Sequence, residues 1–167
     1  DSLWNWDTRA VGAFTFYGIS DKGLDNLGLG RRSVPFPHNY RYRALWKHRQ
    51  ELGSLGCLGD GWLLTAQAGT SSDRNFIPQY FEKEWQTNSN PETRFELKNT
   101  YNNQALGITG AIRTDDFYTQ TNWLPRLDHY WLGEPLFGSN LIWYEHTRLG
   151  YGQFKTTDIP YADEDKA

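Results

Sequence analysis

The feature that most constrains this chain is a strict alternation of side-chain character along residues 40–51. The odd-numbered positions are mostly charged, and the even-numbered positions are mostly aromatic or small. The first set is Arg41, Arg43, Leu45, Lys47, Arg49 and Glu51, and the second is Tyr40, Tyr42, Ala44, Trp46 and His48. A helix would scatter both sets around its circumference, whereas a strand places them on opposite sides. The alternation therefore predicts a β-strand with one polar and one apolar side.

Similar alternation recurs along most of the chain. The further predicted strands are residues 9–20, 61–72, 93–102, 104–114, 120–131 and 140–154. Asn102 and Asn103 predict a tight turn, because Asn tolerates positive φ. Pro125 lacks a backbone donor, so its strand is expected to have an edge, a bulge or a break there. The predicted fold is all-β: an antiparallel, up-and-down sheet of about seven long strands.

The length of these strands favours a membrane barrel. Strands of globular proteins usually run about 5–6 residues, whereas a transmembrane β-strand needs about 9–11. Aromatic residues make up 16% of the chain, and Tyr40, Tyr101, Trp123 and Trp131 fall near predicted strand ends, as in the aromatic girdles of such barrels. The pattern alone also fits a soluble antiparallel barrel or sandwich with one wet face. No apolar run approaches the length of a transmembrane helix.

The chain is expected to form one unit, a single β-barrel segment over 1–167. Residues 21–39 and 72–90 are predicted long loops, and a short helix is expected after Pro78. Long loops at one end and short turns at the other are typical of outer-membrane barrels. The acidic tail at 162–167 is expected to be disordered. Because the chain starts without Met or a leader, we expect it to be a piece of a longer protein.

The distribution of cations suggests a binding surface. The formal charge of −3 excludes a globally basic nucleic-acid binder. Arg41, Arg43, Lys47 and Arg49 nevertheless share one side of one strand, which in a barrel faces the lumen, because a lipid-facing charge at mid-bilayer costs about 2–4 kcal/mol. These four, with Lys98 and Arg126, are the candidates for binding anionic groups such as lipid phosphates. The alternative is a solvated wall paired with acidic neighbours.

No motif points to catalysis. The four His residues show no metal-ligand spacing, and neither a nucleophile elbow nor a phosphate loop is present. Asp128-His129 and Glu145-His146 are adjacent pairs, but neighbours on a strand point to opposite faces. The single Cys57 cannot form an internal disulfide and is expected to be an unpaired thiol. We therefore expect a non-catalytic protein without metal or cofactor.

Three stretches carry a resemblance to the LptD (OstA) family of outer-membrane lipopolysaccharide-assembly barrels. They are residues 21–28, residues 72–85 with their Ser-Asp-Arg start followed by aromatic residues, and residues 116–130. The last contains Leu124-Pro125 and ends near Asp128, similar to the family's Leu-Pro-x-hydrophobic-Asp signature. The resemblance covers most of residues 20–155. It implies part of a large transmembrane barrel, which in the family has about two dozen strands and follows a periplasmic jelly roll.

The resemblance also implies a function. It predicts a segment of the bacterial outer membrane that moves lipopolysaccharide, or another anionic glycolipid, to the cell surface, with an outer-membrane lipoprotein plug as partner and no nucleic acid. The expected mechanism is transport rather than catalysis. The sugars of the glycolipid would travel in the polar lumen while its acyl chains leave sideways between two strands. The alternatives are a soluble β-barrel that binds a small ligand or glycan, and a secreted glycan-acting enzyme suggested by the Trp content.

Overall fold

Eight strands and two short helices make up the described part of the chain. The computed structural model describes residues 2–7, 10–22, 25, 39–53, 60–87, 93–138 and 140–157. The strands are β1 (Ser2–Asp7), β2 (Ala10–Ser20), β3 (Tyr40–Leu52), β4 (Trp62–Ser71), β5 (Thr93–Tyr101), β6 (Gln104–Ile112), β7 (Gln120–Pro135) and β8 (Ile142–Lys155). The helices are α1 (Phe76–Tyr80) and α2 (Glu82–Gln86). A 3-10 turn, Leu136–Gly138, follows β7.

The strands form one antiparallel sheet in which chain order equals spatial order, β1 to β8. Every pairing joins consecutive strands. Within the described residues β1 pairs only with β2 and β8 only with β7, so this sheet is open. The predicted antiparallel, up-and-down sheet is confirmed, with β1 as an additional strand that the sequence pattern did not reveal.

Register separates the sheet into two chemically different faces. Residues paired across antiparallel strands point to the same side, and β3 pairs with β2 and β4 without any shift. We call the side that carries Arg41, Arg43, Lys47 and Arg49 the polar face, and the side that carries Tyr42, Ala44 and Trp46 the apolar face. The predicted sorting of these residues is thereby confirmed.

A continuous aliphatic row crosses the apolar face at right angles to the strands. Pairwise register aligns Leu64, Leu97, Ile108, Leu127 and Leu149 across β4 to β8. On β3 the same row is occupied by Gln50. The apolar part of β3, from Tyr40 to Trp46, lies further toward the strand's start. The apolar part of this face is therefore displaced along the strands between β3 and β4.

The connections differ at the two ends of the sheet. One end, which we call the long-connection end, carries the links at 21–39, 72–92 and 113–119, between β2 and β3, β4 and β5, and β6 and β7. The opposite, tight-turn end includes the two-residue turn at Asn102 and Asn103, where Asn102 has the expected positive φ of 49°. Both helices lie in the 72–92 connection. No helix in the described ranges is long and apolar enough to cross a membrane.

The structure refines two local expectations, and others lie outside the residues it describes. Pro78 lies inside α1 rather than before it, because the helix begins at Phe76. The disturbance expected at Pro125 is a register shift, between Trp123 and Arg126 in the pairing of β7 with β8. Most of the predicted 21–39 loop, Cys57 and the 162–167 tail lie outside the described residues.

Gly110 on β6 provides a test of the strand register. It lies opposite Phe95, and a Cβ there would come within 2.3 Å of the Phe95 ring. Gly110→Ala should therefore lower the free energy of unfolding by about 1–3 kcal/mol, measured by denaturant unfolding of the full chain. Gly107→Ala, where a Cβ meets nothing nearer than 3.8 Å, is the matched control. In a Phe95→Ala background the cost of Gly110→Ala should shrink, and an unchanged cost would contradict the pairing.

Candidate ligand-binding face

Arg41 lies at the centre of a buried ion-pair network at the long-connection end of the polar face. Its guanidinium is 1% exposed. Nη1 donates to Asp25 Oδ1 at 2.8 Å, and Nε and Nη2 donate to the two oxygens of Asp73 at 2.9 and 2.7 Å. Asp21 Oδ2 lies 3.6 Å from Nη1. These carboxylates come from the connections before β3 and after β4, so Arg41 holds both connections against the sheet.

Arg43 forms a second attachment, to α2. Its Nη1 and Nη2 donate to Glu84 at 3.1 and 2.5 Å, and its guanidinium lies 4.5 Å from the centre of the Phe81 ring. Phe81 also meets Tyr17 of β2 edge-on, with ring centroids 5.5 Å apart. The aromatic face and the carboxylate compensate part of the cost of burying this cation, although Arg43 Nε is buried without a hydrogen-bond partner among the described residues. We call Arg41, Arg43 and their partners the arginine anchor.

The sequence around α1 explains how the arginine anchor is shaped. Asp73 accepts a hydrogen bond from the backbone N–H of Asn75 at 3.0 Å and one from the Ser72 hydroxyl at 2.7 Å. One carboxylate thus forms the turn that starts α1 and also binds Arg41. Partial burial and a hydrogen bond to Asp21 raise the pKa of Tyr80 to about 12. Its phenol therefore stays a neutral donor to Asp21 at neutral pH.

The 113–119 connection closes over the same end of the sheet. Asp115 accepts hydrogen bonds from the Thr70 hydroxyl at 2.7 Å and from the Ser71 backbone N–H at 3.0 Å. Burial raises the pKa of the Asp115 carboxyl, although these hydrogen bonds act in the opposite direction. Burial also raises the pKa of Tyr118 to about 12. These contacts fix a second connection to the end of β4.

Next to the arginine anchor, the polar face carries an open depression of about 290 Å³. Lys47 and Arg49 of β3 line one side, and Arg94 of β5 lines the other. Thr65 and Gln67 of β4 lie between them in register. We call Lys47, Arg49, Arg94, Thr65 and Gln67 the cation groove. Its three cations are exposed, and among the described residues none of them forms an ion pair.

Further across the polar face, Asp128 of β7 binds basic side chains from both β7 and β8. It accepts from Arg126 Nε at 2.8 Å and from Arg148 Nε at 2.6 Å, and it lies 3.3 Å from His146 Nε2. A second depression of about 210 Å³ lies beside it and includes Lys98, Glu96 and Arg126. Asp128 is buried and surrounded by these donors. The positive charge of Arg126 is therefore already compensated by a carboxylate within the sheet.

The adjacent acid–His pairs separate onto opposite faces, as the strand geometry requires. Each residue then finds its partner across the gap between β7 and β8. His129 Nδ1 lies 2.8 Å from Glu145 Oε2, whereas His146 faces Asp128 on the other side of the sheet. The sequence shows both acids and both His residues, but this exchange of partners depends on register. In the described part of the chain, no three His, Cys, Asp or Glu side chains group to hold a metal ion.

The structure divides the six candidate binding residues into two groups. Arg41, Arg43 and Arg126 are paired with carboxylates, and the first two are buried. Lys47, Arg49 and Lys98 line the two open depressions without ion-pair partners among the residues described. Their role in binding stays a prediction. Arg94 was not among the candidates, because only its pairing with Gln67, opposite Lys47, brings it to the groove.

Comparisons with known proteins give no relative. No family model, no curated protein and no solved structure matches this chain. The resemblance of its three stretches to the LptD family therefore stays a prediction.

The arginine anchor predicts a strong effect of Arg41→Gln. The substitution leaves the buried Asp25 and the largely buried Asp73 without this cation, and breaking a buried pair in this way costs about 3–5 kcal/mol. We expect a matching loss in the free energy of unfolding and faster protease cleavage in the 72–92 connection. Arg43→Gln should cost less, because Glu84 is partly solvated. Equal effects of the two substitutions would contradict the central role of Arg41.

Proposed function

We propose that this sheet is a segment of a large β-barrel in the bacterial outer membrane, and that the barrel carries lipopolysaccharide or a related anionic glycolipid to the cell surface. The apolar face contacts lipid, and the polar face lines a water-filled lumen. The observation that carries the proposal is the aliphatic row from Leu64 to Leu149, which crosses five strands on a face without packing partners among the described residues.

The exposure of the apolar face supports lipid contact. Phe16 on β2 and Leu149 on β8, near opposite edges of the sheet, are 61% and 66% exposed. Further exposed members of this face are Phe14, Tyr42, Phe95 and Leu127. A water-soluble protein rarely leaves so wide an apolar surface uncovered. In a bilayer the same surface is favourable, because neighbouring strands pair their backbone groups across the sheet and the side chains meet hydrocarbon.

The displacement of the apolar part of this face between β3 and β4 supports the same arrangement. Strands of membrane barrels tilt by about 35–45° from the barrel axis. A band of constant height is then displaced along tilted strands, as it is between β3 and β4, while from β4 to β8 the aliphatic row stays in register. Tyr40 and Tyr101, on the apolar face at opposite ends of the sheet, are 76% and 71% exposed. Aromatic residues at both edges of the band are typical of such barrels.

The polar face supports an anionic cargo. Its unpaired cations, Lys47, Arg49, Arg94 and Lys98, outnumber the unpaired Glu51 and Glu96 within the described strands. Phosphate groups of a glycolipid are the ligands that such cations favour. The resemblance to the LptD family adds the specific substrate, lipopolysaccharide, and a lipoprotein plug that would sit against this face.

A soluble ligand-binding barrel is the alternative. It would require the apolar face to be covered by a packed core, because a closed soluble barrel turns apolar side chains inward. In the described residues the two helices instead pack at the polar face, against Arg43 and Tyr17. That placement favours the membrane proposal over the soluble one.

Neighbouring positions on β6 test the lipid contact. We expect a nitroxide attached to Ile108→Cys, in the full chain with Cys57→Ser, to collide more with dissolved oxygen than with a water-soluble nickel chelate. The adjacent Thr109→Cys, on the polar face, should show the reverse, since oxygen concentrates in hydrocarbon. Electron paramagnetic resonance of outer-membrane fractions measures both rates. Exclusion of both reagents at position 108 would indicate a packed core and would refute the membrane proposal.

Depletion of the full chain from its native cells tests the transport role. Surface lipopolysaccharide should fall while the same lipid accumulates inside the envelope, because export has lost its exit. The wild-type chain and Thr109→Lys should restore export. Ile108→Lys should not, since a lipid-facing Lys costs about 2–4 kcal/mol at the midplane. Normal surface lipopolysaccharide after complete depletion would contradict the role.

A further inference from the structure

The cations of the polar face differ in what they already bind. Carboxylates within the described residues compensate Arg41, Arg43 and Arg126, at N–O distances of 2.5–2.8 Å. A cation in such a pair has less uncompensated charge to offer a ligand. Lys47 and Arg49 are different, because the described part of the chain gives them no carboxylate partner. Free binding capacity is therefore concentrated in the cation groove.

Register places the groove's donors around a common centre. One row across the sheet reads Lys47, Gln67, Arg94, and the next reads Arg49, Thr65, Glu96. Neighbouring strands lie about 4.8 Å apart, so Lys47 and Arg94 face each other across about 10 Å of sheet. Lys47, Arg49 and Arg94 line the same depression. An anion in it would meet cations from two strands.

We propose that the cation groove binds the phosphate monoester of a sugar. The proposal deepens the proposed function, on which it rests for the water-filled lumen, by assigning the contact with the cargo's phosphate to Lys47, Arg49 and Arg94. Arg49 and Arg94 supply the planar, forked donors that suit phosphate oxygens, and Lys47 supplies a compact charge.

The other residues that line the groove suit a sugar phosphate better than inorganic phosphate. Its volume of about 290 Å³ is near the lower limit of about 300 Å³ for small-molecule pockets. Val11 and Ala13 of β2 form an apolar wall, suited to the carbon face of a sugar ring. Glu96 lines the opposite side without an ion-pair partner in the described residues. Its carboxylate can accept hydrogen bonds from sugar hydroxyls while it repels a second phosphate.

Binding to the full chain in a non-ionic detergent tests this site. By calorimetry, glucose 1-phosphate should bind more tightly than inorganic phosphate, and glucose should not bind measurably. Lys47→Gln and Arg94→Gln should each weaken glucose 1-phosphate binding about fivefold or more, as the loss of a charge-assisted hydrogen bond predicts. Lys83→Gln on α2, with the same charge change outside the groove, should leave binding unchanged.

Competition identifies the source of the sugar phosphate. Displacement of glucose 1-phosphate by lipid A in the same detergent would assign the groove to a glycolipid headgroup, and its absence would assign it to free sugar phosphates. Equal binding of inorganic phosphate would overturn the sugar assignment. Unchanged binding in the triple variant Lys47→Gln, Arg49→Gln, Arg94→Gln would overturn the site. The nitroxide result at Ile108 is independent of these outcomes, so failure of the groove and failure of the membrane proposal are distinguishable.

Discussion

Because residues paired across antiparallel strands share a face, the unshifted pairing of β3 with β2 and β4 decides which side every neighbouring side chain occupies. A slip of one residue would move all the cations of β3 to the apolar face and all its aromatic residues to the polar face. The cation groove and the aliphatic row both depend on this pairing. The arginine anchor secures it, since its ion pairs form only if Arg41 and Arg43 stand on the polar face.

Desolvation explains why the cations of one strand have different roles. At the long-connection end, segments of chain cover β3 and remove water from its arginines. The same segments supply Asp25, Asp73 and Glu84, so the burial is compensated. Toward the tight-turn end nothing in the described residues covers β3, and Lys47 and Arg49 remain exposed. Side chains alternate between the two faces along the whole strand, whereas other segments of the chain cover only its first part.

The sequence predicts the strands and their faces well, because alternation is a local property. Seven predicted strands match the structure to within a few residues at their ends, and the turn at Asn102 and the disturbance at Pro125 are confirmed. β1 was missed because its six residues are too few for a clear alternation.

The partners of the charges were not predictable, since they depend on which strands and connections meet. Asp73 lies 32 residues from Arg41, and Glu84 lies 41 residues from Arg43. The same limit applies to Arg94 and to the exchange of partners between His129 and His146. The resemblance to the LptD family concerns the function, and it rests on three sequence stretches alone.

The order of the strands has a consequence for how such a sheet assembles. Each strand pairs with the strand that precedes it in the chain, so the sheet can lengthen one hairpin at a time, with little loop entropy to overcome at each step. The arginine anchor is different, because it joins β3 to the connection before it and to the connection after β4, and so cannot form before β4 has docked. Once these ion pairs have formed, strands β2 to β4 become harder to separate from one another.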